Sequence, residues 1–455
     1  MLSRRNFLRA LSASPLASAQ PKRPNVLLIL ADDLGFECLG AYGSKSYKTP
    51  HLDRLAAEGI RFTHAFAQPL CTPTRMQLMT GKSNFRNWRA FGIMDPKERT
   101  FGHLFSENGY RTAIAGKWQF WSYNPPDFEP EWRGKGQRIE DAGFHEYSVW
   151  HAHHTEDKGS RYGDPTYYQN GKLFKNQKDQ YGDDIFTDFL LAFIEKNKAQ
   201  PWFVYYPMAL THGPFTPTPK SADWTTKRLK NDPKYFKDQV EYMDATIGRM
   251  IQRLDSLGLA ENTLVLFFSD NGTGQGLVSK LERNGRTEDF EGGKGDTNEA
   301  GSRVPFIARW KGQIPPSKIN ADLIDSCDFL PTICEATGVS PKSMGTIDGR
   351  SFLPQLRGQK GQPREWIYTW YDPRPGHGKE RWTKTLRYAF DARWKLHEDG
   401  KLYDWAADPK ETKPVENAAA RKKLAAVLAR YKREESTARR QPELTGTPRR
   451  SPYSR

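Results

Sequence analysis

Four apolar runs end in residues that can bind a cation, hold an anion or move a proton. Asn25–Ala31 (NVLLILA) leads into Asp32-Asp33, and Arg111–Ala115 into Gly116-Lys117-Trp118. Trp202–Leu210 leads into Thr211-His212-Gly213-Pro214, and Thr263–Phe268 into Ser269-Asp270-Asn271-Gly272. One polar ending means little, because strands commonly stop at Asp, Asn or Gly. Four endings that combine metal-ligand and acid/base side chains argue for one reaction centre. A fifth segment, Pro69–Gly81 (PLCTPTRMQLMTG), adds a nucleophile. Thr72 and Pro73 can open a helix there and Gly81 can end it. Cys71 then stands just before a helix N-terminus, whose free N–H groups favour an anion. Arg75, one turn further on, can aim its guanidinium at the same spot. A thiol so placed is a nucleophile in waiting.

The elements that must carry these residues follow from periodicity. A continuous apolar run such as Asn25–Ala31 reads as a strand buried on both faces. A helix follows it, with Thr49 as N-cap, Pro50 in the first turn and Gly59 just past its end. Ile185–Ile194 places Phe186, Phe189, Leu190, Phe193 and Ile194 on one helical face. Val240, Met243, Ile247, Met250, Leu254 and Leu257 mark a second amphipathic helix. Strands alternating with helices predict an α/β domain with a mainly parallel central sheet flanked by helices. In open α/β sheets ligands sit outside the carboxyl ends of the strands. Asp32, Asp33, Lys117, His212, Asp270 and Asn271 therefore converge on one rim if the strands are parallel.

After about residue 345 the texture changes. Trp366–Tyr371, Tyr388–Phe390, Trp394–His397 and Lys401–Tyr403 read as short antiparallel strands, with Asp399-Gly400 as a hairpin turn. A helix near Ala418–Arg433 carries Leu424, Val427, Leu428 and Tyr431 at helical spacing. The expected division is an α/β domain over 22–345 and a smaller C-terminal α+β subdomain over 346–435. A disordered basic tail is expected over 436–455.

Composition narrows the class. At roughly 100–200 residues per domain, 455 residues suggest two or three domains. The apolar fraction of 37% is low, but 13 Trp, 19 Tyr and 25 Phe can fill a sizeable core. No apolar run approaches the ~18 residues of a membrane-spanning helix, and no fixed-period repeat suggests a solenoid. Four Cys exclude a disulfide scaffold and a multi-Cys zinc site. The net charge of +15 is inflated by the ends: residues 1–19 carry three Arg and no acid, and 436–455 carry five Arg and one Glu. What remains is a moderate basic excess, which suits an anionic substrate without demanding nucleic acid. Ser3-Arg4-Arg5-Asn6-Phe7-Leu8-Arg9, then Ala17-Ser18-Ala19, resembles a twin-arginine export signal with its cleavage site. Residues 1–19 are thus expected to address the protein to the periplasm or beyond.

The segment around Cys71 resembles the signature of type I sulfatases, of the alkaline phosphatase superfamily, in which Cys-x-Pro-x-Arg directs oxidation of the Cys to formylglycine. The resemblance runs from about Pro24 to Trp405. It implies that Cys71 becomes a formylglycine, made before export by a cytoplasmic formylglycine-generating enzyme. Asp32 and Asp33 match the family's first metal-ligand pair and Asp270 with Asn271 the second. With the formylglycine these would hold one Ca²⁺, and all are the hard oxygen donors that ion prefers. Lys117 matches the lysine of the family's Gly-Lys-Trp, His212 the histidine of Thr-His-x-Pro-Phe, and Lys294 the second sulfate-binding lysine. With Arg75 they complete the implied catalytic set for hydrolysis of a sulfate ester. Asp348–Pro354 and Leu402-Tyr403-Asp404 resemble motifs of the family's C-terminal subdomain.

One position departs from the pattern. The family usually has His two residues after the Gly-Lys-Trp lysine, and here Gln119 stands there. Gln can hydrogen-bond a sulfate oxygen but cannot titrate, which shifts acid/base duty to His212 or the lysines. His151, His153 and His154 form a nearby cluster without a second ligand group to make a zinc site. They are expected in a substrate-facing loop, Trp150–Tyr162, with Lys158 and Arg161. A second segment, Tyr368–Arg381, supplies Arg374 and His377 as further candidates for substrate contact. Basic excess, aromatics and export favour a sulfated glycan as substrate. The alternatives are a phosphonate or phosphate ester hydrolase of the same superfamily and a non-catalytic binder of sulfated glycan.

Overall fold

The computed structural model describes residues 23–122, 133–372 and 384–438. The export segment, the basic tail from 439, Arg374 and His377 therefore lie outside the described residues. The first half of the chain contributes β1 (Asn25–Ala31), β2 (Ile60–Phe66), β3 (Arg111–Lys117), β4 (Glu146–Trp150), β5 (Tyr167–Gln169), β6 (Lys172–Phe174) and β7 (Trp202–Pro207). The second half adds β8 (Thr263–Ser269), β9 (Val278–Arg283), β10 (Arg286–Glu291), β11 (Phe306–Arg309) and β12 (Lys318–Asp325). Ten of these form one sheet in the order β12-β2-β11-β8-β1-β7-β3-β4-β5-β6.

The centre is parallel, as the apolar runs predict: β1 pairs with β7 and β8, and β3 with β7 and β4. Every residue of β1, β7 and β8 is buried, because helices cover both faces. Val26, Leu28 and Leu30 point into one layer with Met76 and Met79 of the helix Cys71–Thr80 and with Phe329 and Ile333. Leu27, Ile29 and Ala31 point into the other, with Phe186, Leu190, Val240 and Met243 of the two amphipathic helices. Those helices run over Gly182–Lys196 and Phe236–Ser256, longer than their apolar stripes. Truncating a wholly buried side chain such as Leu28 to Ala would cost about 2–5 kcal/mol.

Towards its edges the sheet is mixed. β11 lies antiparallel between β2 and β8, β12 is parallel to β2, and β5 and β6 are antiparallel. These strands, and the hairpin β9–β10, are absent from the expectations above. Asn284-Gly285 turns that hairpin with positive φ at both residues, a strong local signal.

The C-terminal strands β13 (Ile367–Tyr371), β14 (Leu386–Phe390), β15 (Trp394–His397) and β16 (Leu402–Asp404) form a separate antiparallel meander. The helix Ala418–Thr437 covers it through Leu424, Val427 and Tyr431, with Tyr431 stacked on Tyr368 at 4.1 Å between centroids. Phe66, Leu323, Ile367, Tyr388, Phe390 and Trp405 join this layer to the main body. Among the described residues no helix is long and apolar enough to cross a membrane.

Candidate active site

Parallel pairing puts the carboxyl ends of β8, β1, β7, β3 and β4 side by side on one rim. Asp270-Asn271, Asp32-Asp33, His212, Lys117 and Trp150 leave those strands in that order. Backbone bonds stitch the exits together: Asp32 N donates to Leu210 O (2.8 Å), Thr211 N to Asp32 O (2.7 Å) and Asp270 N to Ala31 O (3.1 Å). Asp33, Gln119 and His151 each take a left-handed backbone, with φ near +60°. Such turns are costly outside Gly and cluster where a side chain must be re-aimed.

Cys71 meets the rim from the helix Cys71–Thr80. Leu70, extended, is the N-cap, so Cys71 is the first helical residue rather than the one before it. Gly81 closes the helix with φ 69°, as expected of a left-handed stop. Thr74 Oγ1 donates to Asp270 O at 2.6 Å and locks the helix to the end of β8. Cys71 is buried beside Leu70, Phe91 and Tyr371. Its sulfur and carboxylate oxygens of Asp32 and Asp270 all lie within 4.8 Å of one another.

Three carboxylates meet three cations there, and Arg75 Nη2 also lies 3.6 Å from Asp32 Oδ1. Arg75 Nε and Nη2 grip Asp270 Oδ2 at 2.9 and 2.6 Å. Lys117 Nζ lies 2.8 Å from Asp32 Oδ2, and Lys294 Nζ lies 2.7 Å from Asp33 Oδ2. Burial would raise the Asp32 carboxyl, but Lys117, with His212, Arg75 and Lys294, holds it well below the usual carboxylate range. Burial and the charge of Asp32 push the Asp270 carboxyl up. A shared cation would relieve that crowding. The donor set fits one: Asp32 Oδ1 and Asn271 Oδ1 are sealed from solvent and receive no hydrogen bond. Both are hard oxygens, as Ca²⁺ or Mg²⁺ requires. Asn271 Nδ2 is turned away from that duty and donates to Asp33 Oδ1 at 2.8 Å.

His212 is oriented by its neighbour. Its Nδ1 lies 2.6 Å from Gly213 O, and a carbonyl only accepts, so Nδ1 carries a proton. Nε2 is left facing Asp33 Oδ2 at 3.6 Å. Gln119 is buried, its backbone N–H bound to His151 O and its Oε1 without a donor. His151 is buried at the end of β4; burial, then Lys158 and Arg161, hold its imidazole well below the usual range. His153 packs edge-on against Trp121 and Tyr168, and His154 stacks on Trp121. Arg161 joins the rim with Nη1 3.7 Å from Asp32 Oδ2, a position that its place in the Trp150–Tyr162 segment did not single out. Beside Lys294 a cavity of about 330 Å³ opens between the main body and the small sheet, lined by Asp296, Asn298, Tyr371, His397, Lys410 and Glu411 among others.

The sequence profile of the sulfatase family matches residues 24–339, the whole stretch that builds this rim. The chain belongs to the sulfatase family. The profile of the C-terminal part of N-sulphoglucosamine sulphohydrolase matches residues 296–438, which include the small sheet and its helix. This sulfatase is 31% identical to dog N-acetylgalactosamine-6-sulfatase over 390 residues, covering 80% of this chain and 72% of the relative. It is 32% identical to human arylsulfatase A over 394 residues, covering 80% and 73%. Its fold is similar, with a TM-score of 0.69 and 21% identity, to a protein solved in complex with its substrate D-glucosamine-2-N,6-O-disulfate. That match covers 93% of this chain and 100% of the other. The sulfatase is accordingly a sulfuric ester hydrolase, with the large mixed sheet and separate antiparallel sheet of that fold.

Proposed function

We propose that this sulfatase hydrolyses a sulfate ester on a sulfated carbohydrate, with a formylglycine made from Cys71 and one Ca²⁺ held by Asp32, Asp33, Asp270, Asn271 and residue 71. The observation that carries the reading is the ring of three carboxylate–cation pairs closed around the helix-terminal Cys71. When present, the two groups supply a nucleophilic hydroxyl of lowered pKa and a Lewis-acid seat for a sulfate oxygen.

The chain's own residues do the rest. A sulfate monoester spreads one charge over three oxygens, so catalysis is mostly positioning and neutralisation. Lys117 and Lys294 stand on either side of the Asp32-Asp33 pair and can neutralise the transferred group from two directions. Arg75, gripping Asp270, fixes that carboxylate and adds positive charge behind Cys71. His212, its Nδ1–H held by Gly213, offers Nε2 as the atom that exchanges a proton with the leaving oxygen. Gln119 can hydrogen-bond the sulfate or the sugar but passes no proton.

The carbohydrate half of the proposal is supported by two of its relatives, named for N-acetylgalactosamine-6-sulfate and solved with a glucosamine disulfate, and by the cavity beside Lys294 with its charged and amide lining. His151, His153, Arg374 and His377 are proposed contacts for the sugar. We further propose a leader over 1–19, a catalytic domain over 22–345, a subdomain over 346–435 and a tail over 436–455. Twin-arginine export to the periplasm would let a cytoplasmic formylglycine-generating enzyme act first. Two measurements test the reading. Mass spectrometry of the Cys71 peptide from the native host should show a loss of about 18 Da relative to the thiol. Turnover should be measured on defined sulfated sugars beside matched phosphate and phosphonate esters. A thiol at full activity, or a preference for phosphorus esters, overturns it.

A further inference from the structure

The three carboxylates of the rim are already answered by Arg75, Lys117 and Lys294, yet two more cations stand beside them. Arg161 is 8% exposed. Its Nη1 is sealed from solvent with no hydrogen-bond acceptor, and its nearest acid, Asp32 Oδ2, is 3.7 Å away and already bonded to Lys117. The guanidinium lies 3.9 Å from the Trp150 ring centroid, and Lys158 Nζ lies 5.6 Å from the same ring. Lys158 makes no ion pair among the described residues. Burial, then Arg161 and Lys117, push its ammonium down to about 8, and no carboxylate opposes them. A buried guanidinium that must share its acid with Lys117 and Arg75 is expensive to keep.

The segment is also built to hold these cations still. Trp150 Nε1–H donates to Gly159 O at 3.2 Å, tying the loop to the end of β4. Tyr162 OH lies 2.6 Å from both Ala209 O and His212 O, tying it to the His212 turn. Arg161 is thus fixed between the ends of β4 and β7, beside Asp32. We propose that Lys158 and Arg161, carried on Trp150, form a second anion subsite that reads an additional anionic group, sulfate or carboxylate, on the sugar bearing the scissile ester or on its neighbour. This rests on the sulfatase reading of the centre and narrows its substrate to multiply charged saccharides. A singly charged aryl sulfate would leave the two cations unanswered.

The test compares wild type with Lys158→Met and Arg161→Met on three saccharides: one sulfate only, two sulfates, and one sulfate plus a uronate carboxylate. Each variant should lower kcat/KM for a doubly anionic sugar by about tenfold more than for the singly sulfated one, the scale of a lost charge-assisted hydrogen bond. Which doubly anionic sugar suffers identifies the group read. Equal losses on all three sugars would assign the pair to the transferred sulfate and overturn the proposal, as would no loss at all. If Arg161→Met fails to fold, Lys158→Met, at a half-buried site, still decides. A second readout is calorimetric binding to a Cys71→Ala chain, in which the doubly anionic sugar should lose affinity on adding Lys158→Met. Binding that persists in a wild type without sulfate turnover would sink the reaction and keep the subsite.

Discussion

Lys117 Nζ reaches Asp32 Oδ2 at 2.8 Å although the strands that carry them do not pair; β7 lies between β3 and β1. The contact forms because the β7 chain leaves the sheet at Pro207, before the flanking strands run out. Lys117 is 2% exposed, so its charge is little screened. Lys117→Met should lower kcat/KM for any sulfate ester by about 10²–10³, the range for removing one stabilising donor. A loss of less than tenfold in steady-state assays would remove Lys117 from the transferred group.

Asp270 has two duties that separate on mutation. Asp270→Ala should lose bound divalent cation and also strand Arg75, a buried guanidinium gripped at 2.6 Å. Breaking such a pair costs about 3–5 kcal/mol. Asp270→Asn keeps an acceptor for Arg75 and should lose metal with a smaller drop in stability. Metal content by mass spectrometry and urea unfolding of both variants check this. Normal metal content in Asp270→Ala would refute the ligand assignment.

Gly116 precedes Lys117 with φ 119°, and a Cβ there would lie 2.0 Å from Pro207 O. The glycine lets β3 approach the end of β7 closely enough for Lys117 to cross it. Gly116→Ala should destabilise the fold by more than the ~1 kcal/mol of an ordinary strained substitution and also lower turnover. Unfolding midpoints and kcat measured together test this, and wild-type values for both would show the close approach to be dispensable.

Asp244 predicts a pH dependence. Its carboxylate accepts from His51 N and Leu52 N at the start of the helix Pro50–Ala57. Burial, with Asp53 and Glu241 nearby, pushes its pKa up to about 7. A carboxyl raised on folding binds its proton in the native state while the unfolded chain has lost it. Stability therefore falls as pH rises from about 4 to about 7 and levels off above. Asp244→Asn should flatten that part of the stability profile. Parallel slopes for wild type and variant in chemical denaturation from pH 4 to 8 would count against it.

The chemistry of the centre was legible because it is written locally. Asp32-Asp33, Asp270-Asn271 and Lys117 announce themselves as polar endings of apolar strands, and Cys71, Arg75 and Gly81 as one short helix. The small sheet was equally legible from its strand lengths and the Asp399-Gly400 turn. The strands β2 and β12, at one side of the sheet, were not. Their alternation with Arg, Thr, His and Asn marks half-buried surface, and only a partner strand makes such a segment part of a sheet.

Residue order alone thus determined the α/β class and placed Asp32, Asp33, Lys117, His212, Asp270 and Asn271 at strand ends beside one short helix. Periodicity reports which face of an element is buried, and spacing reports what lies one turn away. Neither reports which distant element it meets. Tertiary structure decided the pairings: Asp33 with Lys294 across 261 positions, and Asp270 with Arg75 across 195. It also decided that His153 is packed among aromatic rings, while Arg161, eight residues later, lies over Trp150 on the rim and shares Asp32 with Lys117 and Arg75. Those outcomes depend on strand order and the close packing of side chains from separate segments, where a few ångströms decide whether a charge is answered.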